Sequence, residues 1–219
     1  MTFLKRLREN EFLKKKSTRI VGIILIVLLI LAVIYFYINS KDVLKELFAP
    51  SITLVTPEPV ESSNRNEIDI NVLLSDLPDN TFPASSLSVQ FNHNKLEFIG
   101  VKQGTMMTID NSNKEKEIYN IPIWKSDPEV SNQTGLINTM YLDITGGGHA
   151  YVKEGFDKKD KNILLRLTFK LRDSVISGEI YNITIKDAVI ATADNDVSRS
   201  SLATSNHTLK SYPAKIVVK

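Results

Sequence analysis

The sequence predicts an all-β fold, a two-sheet antiparallel sandwich of the jelly-roll type, behind a single N-terminal transmembrane helix. Three observations lead to this prediction. Residues 20–38 form an unbroken apolar segment, residues 51–219 alternate between apolar and polar side chains, and helical periodicity is almost absent from that second part. The chain has 219 residues and no cysteine, so such a sandwich must be stabilised by its core and not by disulfides.

The first element is a basic tail over residues 1–19. It holds seven basic and two acidic residues, a net charge of +5, whereas the remainder holds 20 basic and 23 acidic residues, a net charge of −3. Because positively charged flanks of membrane segments stay in the cytoplasm, we expect the tail to be cytoplasmic and to attract anionic lipid. The mildly acidic remainder argues against nucleic-acid binding, which requires clustered positive charge.

The second element is the predicted transmembrane helix, residues 20–38. These 19 residues carry no charge, and a helix of that length spans about 28 Å, close to the hydrocarbon thickness of a bilayer. Tyr35, Phe36 and Tyr37 lie near its C-terminal end, where interfacial aromatic residues are common. The sequence therefore predicts a single-pass cell-membrane protein with residues 39–219 outside the cytoplasm.

Two other interpretations of this segment fit the residues less well. A cleaved signal peptide has an apolar core of about 7–15 residues and a cleavage site of small residues, and Asn39–Asp42 does not form such a site. A type IV prepilin resembles this arrangement but carries a glutamate early in its helix, whereas no acidic residue lies between Arg19 and Lys41. We therefore expect an uncleaved anchor.

A short helical extension is predicted over residues 39–50, next to the membrane. Its apolar residues, Val43, Leu44, Leu47 and Phe48, recur on one helical face. Pro50 ends this pattern because proline disrupts a helix interior.

About nine strands are predicted over residues 51–219, which we treat as one domain. Alternation with period two and one apolar face is typical of strands that pack on one side against a core. Residues that favour turns, mainly Asn, Asp, Gly and Pro, separate these segments. The predicted strands are 51–56, 67–74, 86–91, 96–102, 117–124, 136–144, 165–171, 179–191 and 213–218.

The residues give no sign of an active site, so we predict a protein that is not an enzyme. The three histidines are far apart in sequence, and Gly146–Gly148 is not followed by the lysine and hydroxyl residue of a phosphate-binding loop. No Gly-x-Ser-x-Gly motif occurs. A pair of carboxylates placed as in a glycosidase stays open, because sequence alone does not give their separation.

Calcium is the one cofactor for which the sequence offers candidate ligands. Calcium binds six to eight oxygen atoms, and two loops are rich in carboxylates. Asp194 and Asp196, together with Asp187, form the better candidate, because lysines lie between Asp157 and Asp160 in the other loop.

Strand 136–144 provides the candidate binding face. Its register is predicted to place Leu136, Met140, Leu142 and Ile144 in the core, so that the alternate residues face outward. An outward face that mixes apolar, aromatic and hydrogen-bonding groups suits a protein or a sugar. Trp124 is expected either to pack in the core or, if exposed, to stack on a sugar or anchor a partner. The candidate binding residues are Thr139, Tyr141, Asp143, Tyr119 and Trp124.

Several segments of residues 51–218 form a recognisable pattern. They are the alternation over Asn66–Met107, the run Phe91–Glu97 with a following Gly104, and the two later strands Asn162–Leu171 and Gly178–Ala188. In this pattern residues 51–218 resemble the cohesin domain family. Asn92 and Asn94 depart from the Asp and Pro that are more common in this family. The physical role of the run is independent of the family: Phe91 and Leu96 can enter one core while Asn92–Lys95 makes a tight turn.

The resemblance implies a non-enzymatic scaffolding protein whose outer sheet face binds a protein module, in this family a dockerin, at the cell surface. A carbohydrate-binding module has a similar architecture, so direct binding of polysaccharide, linked to polysaccharide catabolism, is the alternative. A glycan hydrolase or an assembly component of the cell envelope is a third hypothesis. Binding of polysaccharide predicts two or more coplanar exposed aromatic side chains.

Overall fold

The fold is taken from a computed structural model, which describes residues 26–37, 46–110, 118–145, 148–193 and 201–219. The chain divides into two units, Met1–Leu47 and Phe48–Lys219. In the first unit, residues 26–37 are helical and their side chains are exposed. Within the described residues, no helix combines the length and the apolarity that crossing a membrane requires.

Several predicted segments lie wholly or partly outside the described residues. These are the basic tail 1–19, residues 20–25 and 38 of the predicted transmembrane helix, and residues 39–45 of the predicted helical extension. Residues 46–48 are helical, and the helical conformation ends before Pro50, as the sequence predicts.

The second unit consists of strands with one short helix and one 3-10 turn. The helix α1 is Pro128–Thr134, and the 3-10 turn is Lys153–Gly155. The strands are β1 Ser51–Leu54, β2 Ile68–Leu74, β3 Ala84–Gln90, β4 Leu96–Gln103, β5 Thr108–Asp110, β6 Ile118–Asn120, β7 Lys125–Ser126, β8 Leu136–Leu142, β9 Ile163–Leu171, β10 Ile180–Ala191, β11 Leu202–Ala203, β12 Lys210–Tyr212 and β13 Ala214–Val217.

Two sheets pack face to face, which confirms the predicted two-sheet sandwich. The five-stranded sheet has the order β12-β1-β2-β9-β4, and the six-stranded sheet has the order β11-β10-β3-β8-β7 with β13 paired to β10. A separate hairpin, β5-β6, joins neither sheet. The two sheets thus hold 11 strands, and each contributes one apolar face to a shared core.

The strand predictions needed three corrections. Segment 117–124 is not one strand, because only Ile118–Asn120 is extended in the hairpin. The prediction missed β5, β7, β11 and β12, which have two or three residues each and are too short to show alternation. The sandwich is not antiparallel throughout, since β1 and β12 pair in parallel. Strands that distant in sequence are not joined by a hairpin, so their direction is not constrained by one.

Helix α1 was also missed, although its sequence contains the signals for both ends. Asp127 is the N-cap and accepts a hydrogen bond from Val130 N, Pro128 is the first helical residue, and Gly135 ends the helix with φ 71°. The side chain of Asn132 accepts a hydrogen bond from Phe98 N and donates one to Phe98 O, both at 2.8 Å. The helix therefore covers part of the free edge of β4.

The core follows the predicted alternation on the central strands. Ile70, Val72 and Leu74 of β2, and Leu165 and Leu167 of β9, are fully buried. The rings of three phenylalanines meet at the centre, where Phe169 lies 5.4 Å from Phe91 and 5.6 Å from Phe98 between ring centroids. These contacts bury large apolar areas from both sheets.

The turn over Asn92–Lys95 forms as the sequence predicts. Phe91 and Leu96 are buried on either side of it. The Asn92 carbonyl accepts hydrogen bonds from Lys95 N at 3.1 Å and Leu96 N at 2.9 Å. Lys95 Nζ donates to Ser174 O at 2.7 Å and to Glu179 Oε1 at 3.0 Å, which joins this turn to the turn before β10.

The Glu179 carboxylate makes this junction sensitive to acid. Hydrogen bonds from the Tyr181 hydroxyl, from Ile176 N and from Lys95 lower the pKa of Glu179 from 4.5 to about 2. Because the pKa of Glu179 is lower in the folded state, its ionised carboxylate stabilises the fold above pH 4.5, and that stabilisation is lost as the pH falls to about 2.

We therefore expect the free energy of unfolding to decline between pH 4.5 and about pH 2, and we expect Glu179→Gln to make this decline smaller. Urea unfolding at a series of pH values measures this, with Glu154→Gln in the exposed 3-10 turn as the control. An unchanged pH dependence in Glu179→Gln would contradict the prediction.

Candidate docking face

The outer surface of the six-stranded sheet is the candidate docking face, which we define by the outward side chains of β3, β7 and β8. Leu87, Val89 and Ile137 are buried, so their neighbours in sequence point away from the core. Ser86 lies opposite Met140, and Ser88 lies opposite Asn138. The Ser88 hydroxyl donates to Asn138 Oδ1 at 2.7 Å. The face is therefore made of small hydroxyl and amide groups beside an apolar side chain.

The predicted register of β8 is wrong, although this strand does contribute to an open face. Thr139, Tyr141 and Asp143 are buried, with exposed fractions of 3%, 8% and 8%. Met140, Leu142 and Ile144, which were predicted to lie in the core, are 54%, 58% and 88% exposed. Strand β8 therefore presents apolar side chains to the outside.

Hydrogen bonds explain why the polar set is the buried one. Thr139 Oγ1 donates to Lys125 O at 2.8 Å, and the Tyr141 hydroxyl donates to the carbonyl of His149. Asp143 accepts hydrogen bonds from Thr145 N at 2.8 Å and His149 N at 3.1 Å. Because each of these polar groups has a hydrogen-bond partner, its burial costs little free energy. The aliphatic side chains of β8 are then the ones that face outward.

Trp124 packs in the core, which was one of its two predicted environments. It is 6% exposed, and its Nε1 donates to the Tyr151 hydroxyl at 3.0 Å. The Tyr151 ring meets Tyr141 edge to face at 5.2 Å. Burial, together with the Asp143 charge, raises the pKa of Tyr141 to about 12, so its hydroxyl stays a hydrogen-bond donor. The side chain of Tyr119 lies outside the described part of the chain.

Two shallow grooves lie along β8. One has a volume of about 380 Å³ and is lined by Ser86, Lys125, Asn138 and Met140, among others. The other has a volume of about 280 Å³ and is lined mainly by aliphatic and polar side chains at the end of β8, including Ile123, Leu142, Ile144 and His149. Met140 and Leu142 are alternate residues of one strand, so the two grooves adjoin on the same side of the sheet.

The outer face of the five-stranded sheet is different, because it carries ion pairs. Lys102 Nζ lies 2.9 Å from Glu67 Oε2 and 3.0 Å from Asp69 Oδ1. Hydrogen bonds to Glu67 and Asp69 raise the pKa of Lys102. Thr168 Oγ1 also donates to Asp69 at 2.7 Å. No ion pair joins described residues of the docking face, so the two faces differ in the ion pairs that they carry.

The candidate calcium ligands stay untested. Asp194 and Asp196 lie outside the described residues. Asp187 lies on β10, where its Oδ1 accepts a hydrogen bond from Thr204 Oγ1 at 2.8 Å. The residues that the structure describes contain no group of three side chains able to hold a metal ion.

The described strands also lack the aromatic pair that binding of polysaccharide predicts. Among the aromatic side chains described in the strands, only Tyr212 is largely exposed, at 48%. It lies on β12, in the sheet opposite the docking face. A single ring does not form the coplanar platform that stacks on a sugar chain.

Comparisons with known proteins agree on one family and one fold. The model of the Cohesin domain family matches residues 55–210. The sixth cohesin of scaffoldin B from Acetivibrio cellulolyticus, solved in complex with the Cel5 dockerin, is similar with 16% identity and a TM-score of 0.53, covering 78% of this chain and 99% of that one.

Two further solved structures show the same likeness. The third ScaC cohesin of Acetivibrio cellulolyticus, in complex with the ScaB dockerin, has 14% identity and a TM-score of 0.54, covering 77% of this chain and 98% of that one. The cohesin of the Coh-OlpA-Doc918 complex from Clostridium thermocellum has 19% identity and a TM-score of 0.52, covering 78% and 99%. At such identities the likeness shows the fold alone. No curated protein matches the sequence.

Proposed function

This chain belongs to the cohesin domain family, and from that premise we propose that it holds a dockerin-type protein module on its docking face. Cohesin domains are protein-binding modules and not enzymes. The similar solved cohesins named above are complexes with dockerins. The finer statements, which face binds and what the partner is, are our proposal.

One observation carries the choice of face. The docking face exposes Met140 and Leu142 beside uncharged serine and asparagine side chains, whereas the outer face of the five-stranded sheet carries Lys102 in ion pairs with Glu67 and Asp69. Apolar groups surrounded by small polar ones are typical of the centre of a protein–protein interface, and the centre is depleted in charge. Covering the docking face with a partner should therefore release more free energy than covering the outer face of the five-stranded sheet.

Binding measurements test this choice directly. The probes are the dockerin modules encoded in the genome of the source organism, each expressed separately and titrated on the full-length chain by surface plasmon resonance. Met140→Glu should weaken binding about thirtyfold or more, because it replaces a central apolar contact with a carboxylate that the partner must desolvate, opposite Lys125 on β7. Tyr212→Glu is the matched control, since it changes a similarly exposed side chain in the other sheet. Binding that is lost in Tyr212→Glu and kept in Met140→Glu would place the partner elsewhere.

We also propose that residues 20–38 anchor the chain in a membrane, with the sandwich on the extracytoplasmic side. The support comes from the sequence: 19 uncharged residues follow a basic tail of net charge +5. The full-length chain should stay with membranes after alkaline carbonate extraction, and protease added to intact cells should remove the sandwich. Replacing Ile26 and Ile30 with arginine should release the chain into the soluble fraction. Extraction of the unaltered chain by carbonate would overturn the anchor.

A further inference from the structure

We infer that the partner places a carboxylate against Lys125 and an aliphatic side chain against Met140 and Leu142. This inference rests on the proposed function and adds the chemistry of the partner to it. It comes from the position of one lysine at the rim of the docking face, next to the exposed aliphatic residues of β8.

Lys125 is held at this rim by the fold. It lies on β7 opposite Met140, and its carbonyl accepts the hydrogen bond from Thr139 Oγ1 at 2.8 Å. Its side chain is exposed and lines the groove of about 380 Å³ together with Met140 and Asn138. The β7–β8 pairing therefore fixes a positive charge beside the apolar contact.

Asp127, Asp143 and Asp187 do not neutralise Lys125. Asp127, two residues further along the chain, uses its Oδ1 to accept the hydrogen bond from Val130 N at the start of α1. Asp143 is buried with its own partners. Asp187 is on β10, three strands away, a distance of about 14 Å. Lys125 forms no ion pair with any described residue.

Covering this lysine requires a partner anion. A protein that covers Met140 also removes water from Lys125, and an ammonium group taken out of water without a counter-charge costs several kcal/mol. A carboxylate on the partner removes most of that cost and adds specificity for acidic sequences. The face therefore selects against partners that present a positive or apolar group at this point.

The spacing on β8 matches about one turn of a helix in the partner. Met140 and Leu142 are two residues apart on one strand, about 7 Å. Residues four apart on a helix are separated by about 6 Å along its axis. A helix lying along β8 therefore brings an acidic residue to Lys125 and an aliphatic residue, about one turn away, to Leu142.

Charge reversal is the experiment that tests the inference. The dockerin modules described above are titrated on the full-length chain and on Lys125→Glu, with Lys158→Glu in an exposed loop as the matched control for net charge. We expect Lys125→Glu to weaken binding about tenfold and Lys158→Glu to change it less than about twofold. Replacing the facing acidic residue of the dockerin with lysine should restore binding to Lys125→Glu. Lys125→Met keeps the apolar stem and should lose the salt dependence of binding.

The outcomes separate this inference from the proposed function. Suppose that Met140→Glu weakens binding of a dockerin, but Lys125→Glu binds it as tightly as the unaltered chain does. That result overturns the inference about Lys125 and leaves the proposed docking face in place. Failure of every dockerin module to bind overturns the proposed function, and the inference with it. The emission spectrum of the buried Trp124 shows in each case whether the variant is folded.

Discussion

Gly104→Ala is expected to lower the free energy of unfolding by about 3 kcal/mol or more. Gly104 follows β4 directly, and a Cβ atom built there would lie 1.9 Å from Ile163 O and 2.6 Å from Leu164 O. Both are backbone atoms, which cannot rotate away as the end of a flexible side chain can. Relieving the clash would also stretch the hydrogen bonds that Thr105 N and Met106 N donate to Ile163 O, at 2.8 and 3.0 Å.

Urea unfolding followed by the fluorescence of Trp124 measures this loss. Gly178→Ala is the matched control, because Gly178 has φ 89° but no atom within 4 Å of the added carbon. Gly178→Ala should introduce backbone strain without a clash, and should lower the free energy of unfolding by about 1 kcal/mol. Equal losses in the two variants would show that close approach of the backbone is not what requires glycine at position 104.

Residue 104 also illustrates what the sequence could predict. The sequence places a glycine after the strand that ends at Gln103, and the resemblance to cohesins includes that glycine. The reason for it, the approach of the β9 backbone, depends on the pairing of β4 with β9 and is not visible in the local pattern. The buried faces of β2 and β9, by contrast, could be predicted from the local pattern alone, because one face of each strand is entirely apolar and only one register is possible.

For strand β8, alternation predicted the wrong face to be buried. Both of its alternating sets contain apolar residues, Ile137 and Tyr141 in one and Met140 and Leu142 in the other. The choice between them depends on hydrogen bonds to distant residues, such as Thr139 to Lys125 and Tyr141 to His149. An open face that is itself apolar removes the contrast on which a prediction of burial relies.

Helix α1 was missed in the prediction for a different reason. Its signals, Asp127 as N-cap, Pro128 as the first helical residue and Gly135 as the C-cap, were all present. Asp-Pro is also a common start of a turn, and a helix of seven residues is too short to add a period of its own. The hydrogen bonds between Asn132 and Phe98 that fix it come from tertiary structure.

The second large effect is expected from Phe169→Ala, at about 3–5 kcal/mol of unfolding free energy. Phe169 is fully buried on β9, and its ring packs against those of Phe91 and Phe98. Truncation removes both ring contacts and leaves a cavity, because strands on either side hold the surrounding backbone in place. Phe48→Ala, at a side chain that is 79% exposed, is the control and should change stability by less than about 0.5 kcal/mol.

Phe169→Ala also separates stability from binding. Phe169 lies in the five-stranded sheet, whereas the docking face belongs to β3, β7 and β8 of the other sheet. If a dockerin binds the rigid face that we propose, its dissociation constant should be unchanged in Phe169→Ala at temperatures where the variant is folded, while the denaturant midpoint falls. Met140→Glu should weaken binding and leave the denaturant midpoint nearly unchanged, because the Met140 side chain is exposed and contributes little to the core. A Phe169→Ala variant that stays folded but binds more weakly would mean that the partner depends on packing deep in the sandwich and not on the face alone.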